Sequence, residues 1–196
     1  MKNFKFESYP EKLQNLILDF DERIKKIEES FKNNKTSIKI EDLLNIKDGE
    51  NAKHNLKLIG FEPKTLKEFQ GAYIFYDPKL KKIVYVGISR KLIQRLRQHV
   101  NHKDPNTASL AYLMAKNEVA KKKGWNKPED WHVKKGYWKN TKANFKNSKK
   151  FREQYQNKIK EYKITFLEFS DNFEMALFEV YAAMKCEAYW NSFRTH

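Results

Sequence analysis

Gly71-Ala72-Tyr73-Ile74-Phe75-Tyr76, then Asp77-Pro78-Lys79-Leu80-Lys81-Lys82, then Ile83-Val84-Tyr85-Val86-Gly87 is the stretch that decides the fold. The outer runs are β-branched and aromatic, and the connector carries Asp-Pro turn chemistry, so the whole predicts a β-hairpin. Gly87 closes the second strand. Ser89 is placed to N-cap a helix from Arg90 to about His99, with Leu92, Ile93, Leu96 and Val100 facing inward. Lys91, Arg95 and His99 recur every four residues and form a separate stripe on that helix. Further on, Lys163 to Phe169 predicts a third strand. Asp171 and Glu174 then make an acidic variant of the capping box that opens a helix through about Glu187.

Upstream, Leu13, Leu16, Ile17, Phe20, Ile24, Ile27 and Phe31 keep the helical rhythm for five turns, with Ser8 as a cap and Pro10 in the first turn. A shorter apolar stretch, Ile38 to Ile46, ends at an Asp48-Gly49 turn, and Leu56 to Phe61 fits helix or strand. These pieces read as helices packing on the downstream half or on a second subunit; a helix-turn-helix over 38–61 is the lesser alternative. The chain divides into a helical N-terminal extension (1–70) and a part from 71 to 196 that carries a basic insertion at about 100–163.

The 196 residues carry 40 Lys+Arg against 25 Asp+Glu, a formal charge of +15, which calls for a polyanionic partner. Residues 1–70 contribute only +1 and residues 100–163 contribute +11. With 40% hydrophobic and 14% aromatic residues the chain can build a core, so it is not a disordered basic tail. Its longest apolar run, Leu110 to Ala115, is far too short to span a bilayer, and the N-terminus lacks the apolar segment of a signal peptide. The single cysteine, Cys186, excludes an internal disulfide framework and a Cys-based zinc site. A cytoplasmic protein that meets nucleic acid and no membrane is the expectation. A homodimer is one arrangement the sequence leaves open.

Glu179 stands out on its helix. Its neighbours on the same face, Met175, Ala176, Ala182, Ala183 and Cys186, are apolar, and an uncompensated carboxylate there would be costly. A hard divalent cation, Mg²⁺ (or Mn²⁺), would compensate it and keep several waters; the plainer alternative is a salt bridge to a Lys or Arg. One carboxylate points to a single ion. Arg95 offers a fork of donors suited to phosphate, and His99 can donate to phosphate or shuttle a proton. Within 100–163, Trp125, Trp131, Trp138 and Tyr137 alternate with Lys121-Lys122-Lys123 and Lys134-Lys135, the pattern of a surface that neutralises phosphates and packs on sugars or bases. The alternative is a small local core whose wet face is lysine.

Taken in order, Gly71-Ala72-Tyr73, Tyr85-Val86-Gly87, Ser89, Arg95, His99, Glu179 and Asn191 resemble the GIY-YIG nuclease family. Ala72 and Val86 replace isoleucines of the family pattern. The resemblance covers 71–99 and about 163–193. It implies an α/β fold: a small, largely antiparallel three-stranded sheet flanked by helices. It implies Tyr73, Tyr85, Arg95, His99, Glu179 and Asn191 as catalytic residues, with Glu179 on the metal. In that scheme Tyr73 is the general base, Tyr85 positions water or phosphate, and Asn191 holds phosphate or Tyr73 through its amide. A free tyrosine has a pKa near 10, so Tyr73 would need positive charge nearby, from Lys91, Arg95, His99 or the metal. Phosphate contacts are expected from Lys91, Lys121, Lys122, Lys123, Lys134 and Lys135. The activity implied is a metal-dependent DNA endonuclease, of restriction or mobile-element type. A non-catalytic DNA-binding protein on the same fold and an RNA endonuclease are the rivals.

Overall fold

The computed structural model describes residues 9–33, 37–44, 55–57, 70–125 and 135–191. Ser8, Trp131, Lys134, the Asp48-Gly49 turn and most of Leu56 to Phe61 lie outside them. Helix α1 (Tyr9–Asn33) is followed by a two-residue strand β1 (Ile38–Lys39) and a short helix α2 (Ile40–Leu44). The hairpin strands are β2 (Gly71–Asp77) and β3 (Lys82–Ser89). Four helices follow: α3 (Leu92–Asn101), α4 (Ser109–Lys122), α5 (Lys135–Asn147) and α6 (Lys149–Lys160). Strand β4 (Lys163–Glu168) and helix α7 (Asn172–Lys185) complete the order.

The strands form one antiparallel sheet in the order β1-β4-β2-β3. The sheet therefore has four strands where the sequence predicts three. The added strand is Ile38–Lys39, which pairs with Ile164 and Lys163. Two residues carry too little alternation to read as a strand, and the partner that makes them one lies far along the chain.

Sheet alternation feeds two cores. Ala72, Ile74, Ile83 and Val86 point to one face, where Phe20, Ile24, Ile27 and Phe31 of α1 and Met175, Phe178, Ala182 and Ala183 of α7 cover them. Tyr73, Phe75, Val84 and Phe166 point to the other, against Leu92, Leu96 and Val100 of α3. That second core also takes Leu110 and Met114 of α4, Phe145 of α5, and Tyr155 and Ile159 of α6. The N-terminal helix and the basic helices are thus layers of the same fold, each contributing apolar residues to a core that one face of the sheet shares.

A bulge interrupts β3. Phe75 pairs with Tyr85 and Tyr76 with Ile83, which leaves Val84 unpaired between them. An extra residue shifts the alternation by one. Ile83 therefore faces α1 while Tyr85 faces α3, beside Tyr73. Because β3 is the sheet edge, its outward backbone groups need partners. Trp190 N–H donates to Val84 O (2.9 Å). Asn191 Oδ1 accepts from Val86 N–H (2.7 Å), and Asn191 Nδ2 donates to Val86 O (2.6 Å).

Local signals explain the helix starts. Asp171 caps α7 by accepting from Glu174 N–H at 2.7 Å. The Glu174 carboxylate, instead of reaching back to complete the box, lies 3.6 Å from Arg23 of α1. Ser89 remains in the strand; its Oγ accepts from Lys91 N–H (3.0 Å), and Lys91 takes the N-cap position of a helix that starts at Leu92.

Candidate functional site

The hairpin, α3, α4, α7 and the segment after α7 surround a cleft of about 670 Å³. Tyr73, Tyr85, Arg95, Glu179 and Asn191 all line it, so five of the six residues predicted for catalysis meet in one place. His99, the sixth, sits directly behind them. Its ring lies 5.7 Å from both Tyr73 and Tyr85 and 5.8 Å from Phe75, centroid to centroid. Tyr73 Oη and His99 Nε2 share a 2.8 Å hydrogen bond.

This pair is fully buried, Tyr73 at 1% and His99 at 0% exposure. The stripe that the spacing predicts is therefore divided: Lys91 is exposed, whereas His99 turns inward to the phenol hydroxyl on β2. Burial holds its pKa well below the usual imidazole value, and the Arg95 charge adds to that depression. The ring is neutral, and its buried Nδ1 has no partner among the described residues. Burial likewise pushes the Tyr73 phenol well above its ordinary value, with Tyr85 adding to the rise and Arg95 opposing it. Tyr85, half-buried, is also raised by burial, against the pull of Arg95 and with a contribution from Glu179. Positive charge is thus present at Tyr73, as the chemistry requires, but burial outweighs it and both tyrosines rest as neutral phenols.

Gly87 makes the buried pair possible. It faces Tyr73 across the hairpin, and a Cβ there would lie 2.5 Å from Tyr73 Cζ and Oη. Only a residue without a side chain lets the phenol cross the neighbouring strand to reach α3.

Arg95 is tied down by its own chain. Its Nη1 donates to Thr107 O (2.8 Å) and Gln98 Oε1 (3.3 Å), and its Nη2 donates to Ser109 Oγ (2.9 Å). These bonds fix the loop between α3 and α4 and aim the guanidinium at the cleft. Asn191 has both ends of its amide on Val86, so its first task is to hold the edge strand, with one amide N–H left for another partner.

Glu179 enters from α7 and is half-buried, with Met175, Ala182 and Ala183 buried around it and Ala176 exposed. Among the described residues no group of three or more His, Cys, Asp or Glu comes together. Glu179 is the one carboxylate among the described residues that line the cleft. A single carboxylate suits a hard cation that keeps most of its waters, and does not suit a zinc cage.

Of the predicted phosphate-binding lysines, the four whose side chains are described, Lys91, Lys121, Lys122 and Lys123, do not line the cleft. Lys91 is exposed at the start of α3, and Lys121, Lys122 and Lys123 are exposed at the end of α4. Lys122 pairs with Glu118 at 2.9 Å, and Lys123 lies 5.6 Å over the Tyr137 ring. Of Lys135 only its position at the start of α5 is described. The cleft wall opposite Glu179 instead comes from Ser109, Tyr112 and Lys116 of α4, none of which the sequence singles out. Their i, i+3, i+7 spacing is the signal that could have found them, but Tyr112 is hidden inside the apolar run from Leu110 to Ala115 that Ser109 and Lys116 flank.

Compared with known proteins, the chain matches no family model, no curated protein and no solved structure.

Proposed function

We propose that the chain is a metal-dependent DNA endonuclease of GIY-YIG type that hydrolyses phosphodiester bonds in the cleft between β2, β3, α3, α4 and α7. The observation that carries this reading is the 2.8 Å Tyr73–His99 pair behind a cleft that Tyr85, Arg95, Glu179 and Asn191 also line. A purely binding surface has no use for a buried phenol–imidazole pair behind its wall, whereas hydrolysis needs a route for the proton of an attacking water.

With the ring proton on Nδ1, His99 Nε2 accepts from the Tyr73 hydroxyl. A water in the cleft gives a proton to Tyr73 Oη while Tyr73 passes its own to His99 Nε2, and the resulting hydroxide oxygen bonds to phosphorus. The phosphorus–oxygen bond to the leaving group breaks on the far side. Neither tyrosine has to exist as a phenolate beforehand, which resolves the difficulty of its raised pKa. The imidazolium forms close to Arg95, and the negative charge that the substrate phosphate brings into the cleft offsets that repulsion. Arg95 supplies donors to the phosphoryl oxygens, and Tyr85 orients water or phosphate. A Mg²⁺ ion held by Glu179 would neutralise developing charge and ease departure of the leaving oxygen.

Incubation with supercoiled plasmid, single-stranded DNA and structured RNA, each with Mg²⁺ or EDTA, tests the proposal. Mg²⁺-dependent nicking of plasmid is expected. Tyr73→Phe should lower turnover by about 10²–10⁴-fold, the usual range for a proton-transfer group. Glu179→Gln should abolish the Mg²⁺-dependent turnover, and both should leave DNA binding nearly intact. Nicking that survives EDTA would remove the cation from Glu179, and full turnover in Tyr73→Phe would remove the proton route. Cleavage confined to RNA would transfer the reading to an RNA endonuclease.

A further inference from the structure

The α4 wall continues past the cleft into an aromatic surface. Lys116, which lines the cleft and is half-buried, has its Nζ 4.8 Å from the Trp138 ring centroid and 6.0 Å from that of Tyr112. Tyr112 Oη donates to Trp138 O at 3.4 Å, joining α4 to α5. Trp138 meets Trp125 edge-on at 5.9 Å and Tyr137 at 6.0 Å, and Trp125 meets Tyr137 at 5.1 Å. Lys123 lies over Tyr137 at the far end. Trp125, Tyr137 and Trp138 are all half-buried, while Phe145 and Tyr155 on the same helical layer are fully buried. The layer therefore has its own core aromatics, and these three rings stay at the surface, bracketed by two ammonium groups. Glu118, on the same helix as Lys116, is matched by Lys122 at 2.9 Å and Lys158 at 3.9 Å, which offsets its repulsion of a polyanion.

Lysines answer phosphates of any nucleic acid, but ring surfaces have a counterpart only where bases are unpaired and show their faces. In a duplex those faces are stacked inside. We propose that this wall, from Lys116 through Trp138, Trp125 and Tyr137 to Lys123, receives unpaired nucleotides of a DNA strand whose neighbouring phosphodiester lies in the cleft. The preferred substrate is then a duplex that carries a single-stranded segment beside the point of cleavage. The location of the cut rests on the nuclease reading; the strand preference is a binding property and stands by itself.

The test uses the full chain in EDTA, with fluorescence anisotropy on a labelled blunt duplex and on the same duplex extended by an oligo-dT overhang. One stacked base is enough for about tenfold tighter binding of the overhang form. Trp138→Leu should remove most of that preference and leave the blunt duplex bound as before, with circular dichroism reporting the fold. Tyr137→Leu combined with Lys123→Gln, farther from the core, should lower the preference as well if Trp138→Leu does not fold. Oligo-dT should quench the tryptophan fluorescence of the unmodified chain, and Trp125→Phe should reduce the quenching. Equal affinity for the two duplexes, or a preference that survives the substitutions, overturns the proposal, as does an oligo-rU overhang bound more tightly than oligo-dT. Strand preference without cleavage of any substrate sinks the nuclease reading alone; cleavage without strand preference sinks this one alone.

Discussion

Gly87 and Tyr73 occupy space that two side chains cannot share. A methyl group at residue 87 would sit 2.5 Å from the phenol carbon and oxygen, and Tyr73 cannot swing away while it is buried and bonded to His99. Gly87→Ala is expected to displace the hydroxyl, cost about 1–3 kcal/mol as an overpacked site, and lower nicking by about 10²-fold. Urea unfolding and plasmid nicking on the same preparation check both. His99 gives a pH signature. In the folded chain it stays neutral well below its ordinary value of 6.5, whereas unfolding exposes it to protonation. Below pH 6.5 the unfolded state binds the extra proton, so this group costs nothing above that pH and destabilises the fold as pH falls through it. The loss should approach about 1.4 kcal/mol per pH unit from this one group. Urea titrations should show a shallower pH dependence in His99→Asn; equal slopes would mean the ring takes up its proton in the folded state too. None of this was legible from spacing. Lys91, Arg95 and His99 share one helical stripe, and what separates them is a hydroxyl on a strand 26 residues earlier.

At the scale of elements, the sequence is clearest where local chemistry is enough. The hairpin declares itself by β-branched and aromatic runs around Asp77-Pro78, and α1 by its spacing: Phe20, Ile24, Ile27 and Phe31 are all buried. The same helix shows where spacing stops being informative, since Leu13 is in phase and exposed. Strand β1 and the bulge at Val84 were hidden because a distant partner creates the first and a register shift the second. That shift decides which face Tyr85 occupies, so the site depends on a feature with no local signature. The edge of β3 yields a further prediction. Asn191→Ala removes two hydrogen bonds to Val86 and leaves that edge open. Unfolding free energy should fall by about 1–3 kcal/mol and the Val86 amide should exchange faster. Loss of nicking with unchanged stability and exchange would instead assign Asn191 to the substrate.

Over the whole molecule, the charge asymmetry acquires a physical form. The described lysines of this stretch lie largely on helices whose inward residues join the core on the α3 side of the sheet, while Lys121, Lys122, Lys123, Lys149 and Lys150 are exposed. Two elements of the reading, binding surface and core, are therefore opposite sides of the same helices. Replacing Lys121, Lys122 and Lys123 together with Gln should flatten the salt dependence of DNA binding. Lys122 is already paired with Glu118, so the expected change is that of one or two phosphate contacts, about 0.9–1.8 log units, and not of three. Binding measured across a salt series decides it, and an unchanged slope would make these lysines a solvated face only. Among the described residues no helix is long and apolar enough to cross a membrane.

The dependence of β3 on Trp190 and Asn191 also sets an order of events during synthesis. The hairpin emerges from the ribosome with Tyr73 and Tyr85 already in hand, but the groups that close its outer edge lie 105 residues downstream of Val86. Glu179 arrives almost as late. Between the synthesis of Val86 and that of Asn191 a growing chain thus carries an open strand edge and half a cleft, exposed to mispairing. The residues that line the cleft therefore come together only after α7 and the segment behind it have been made.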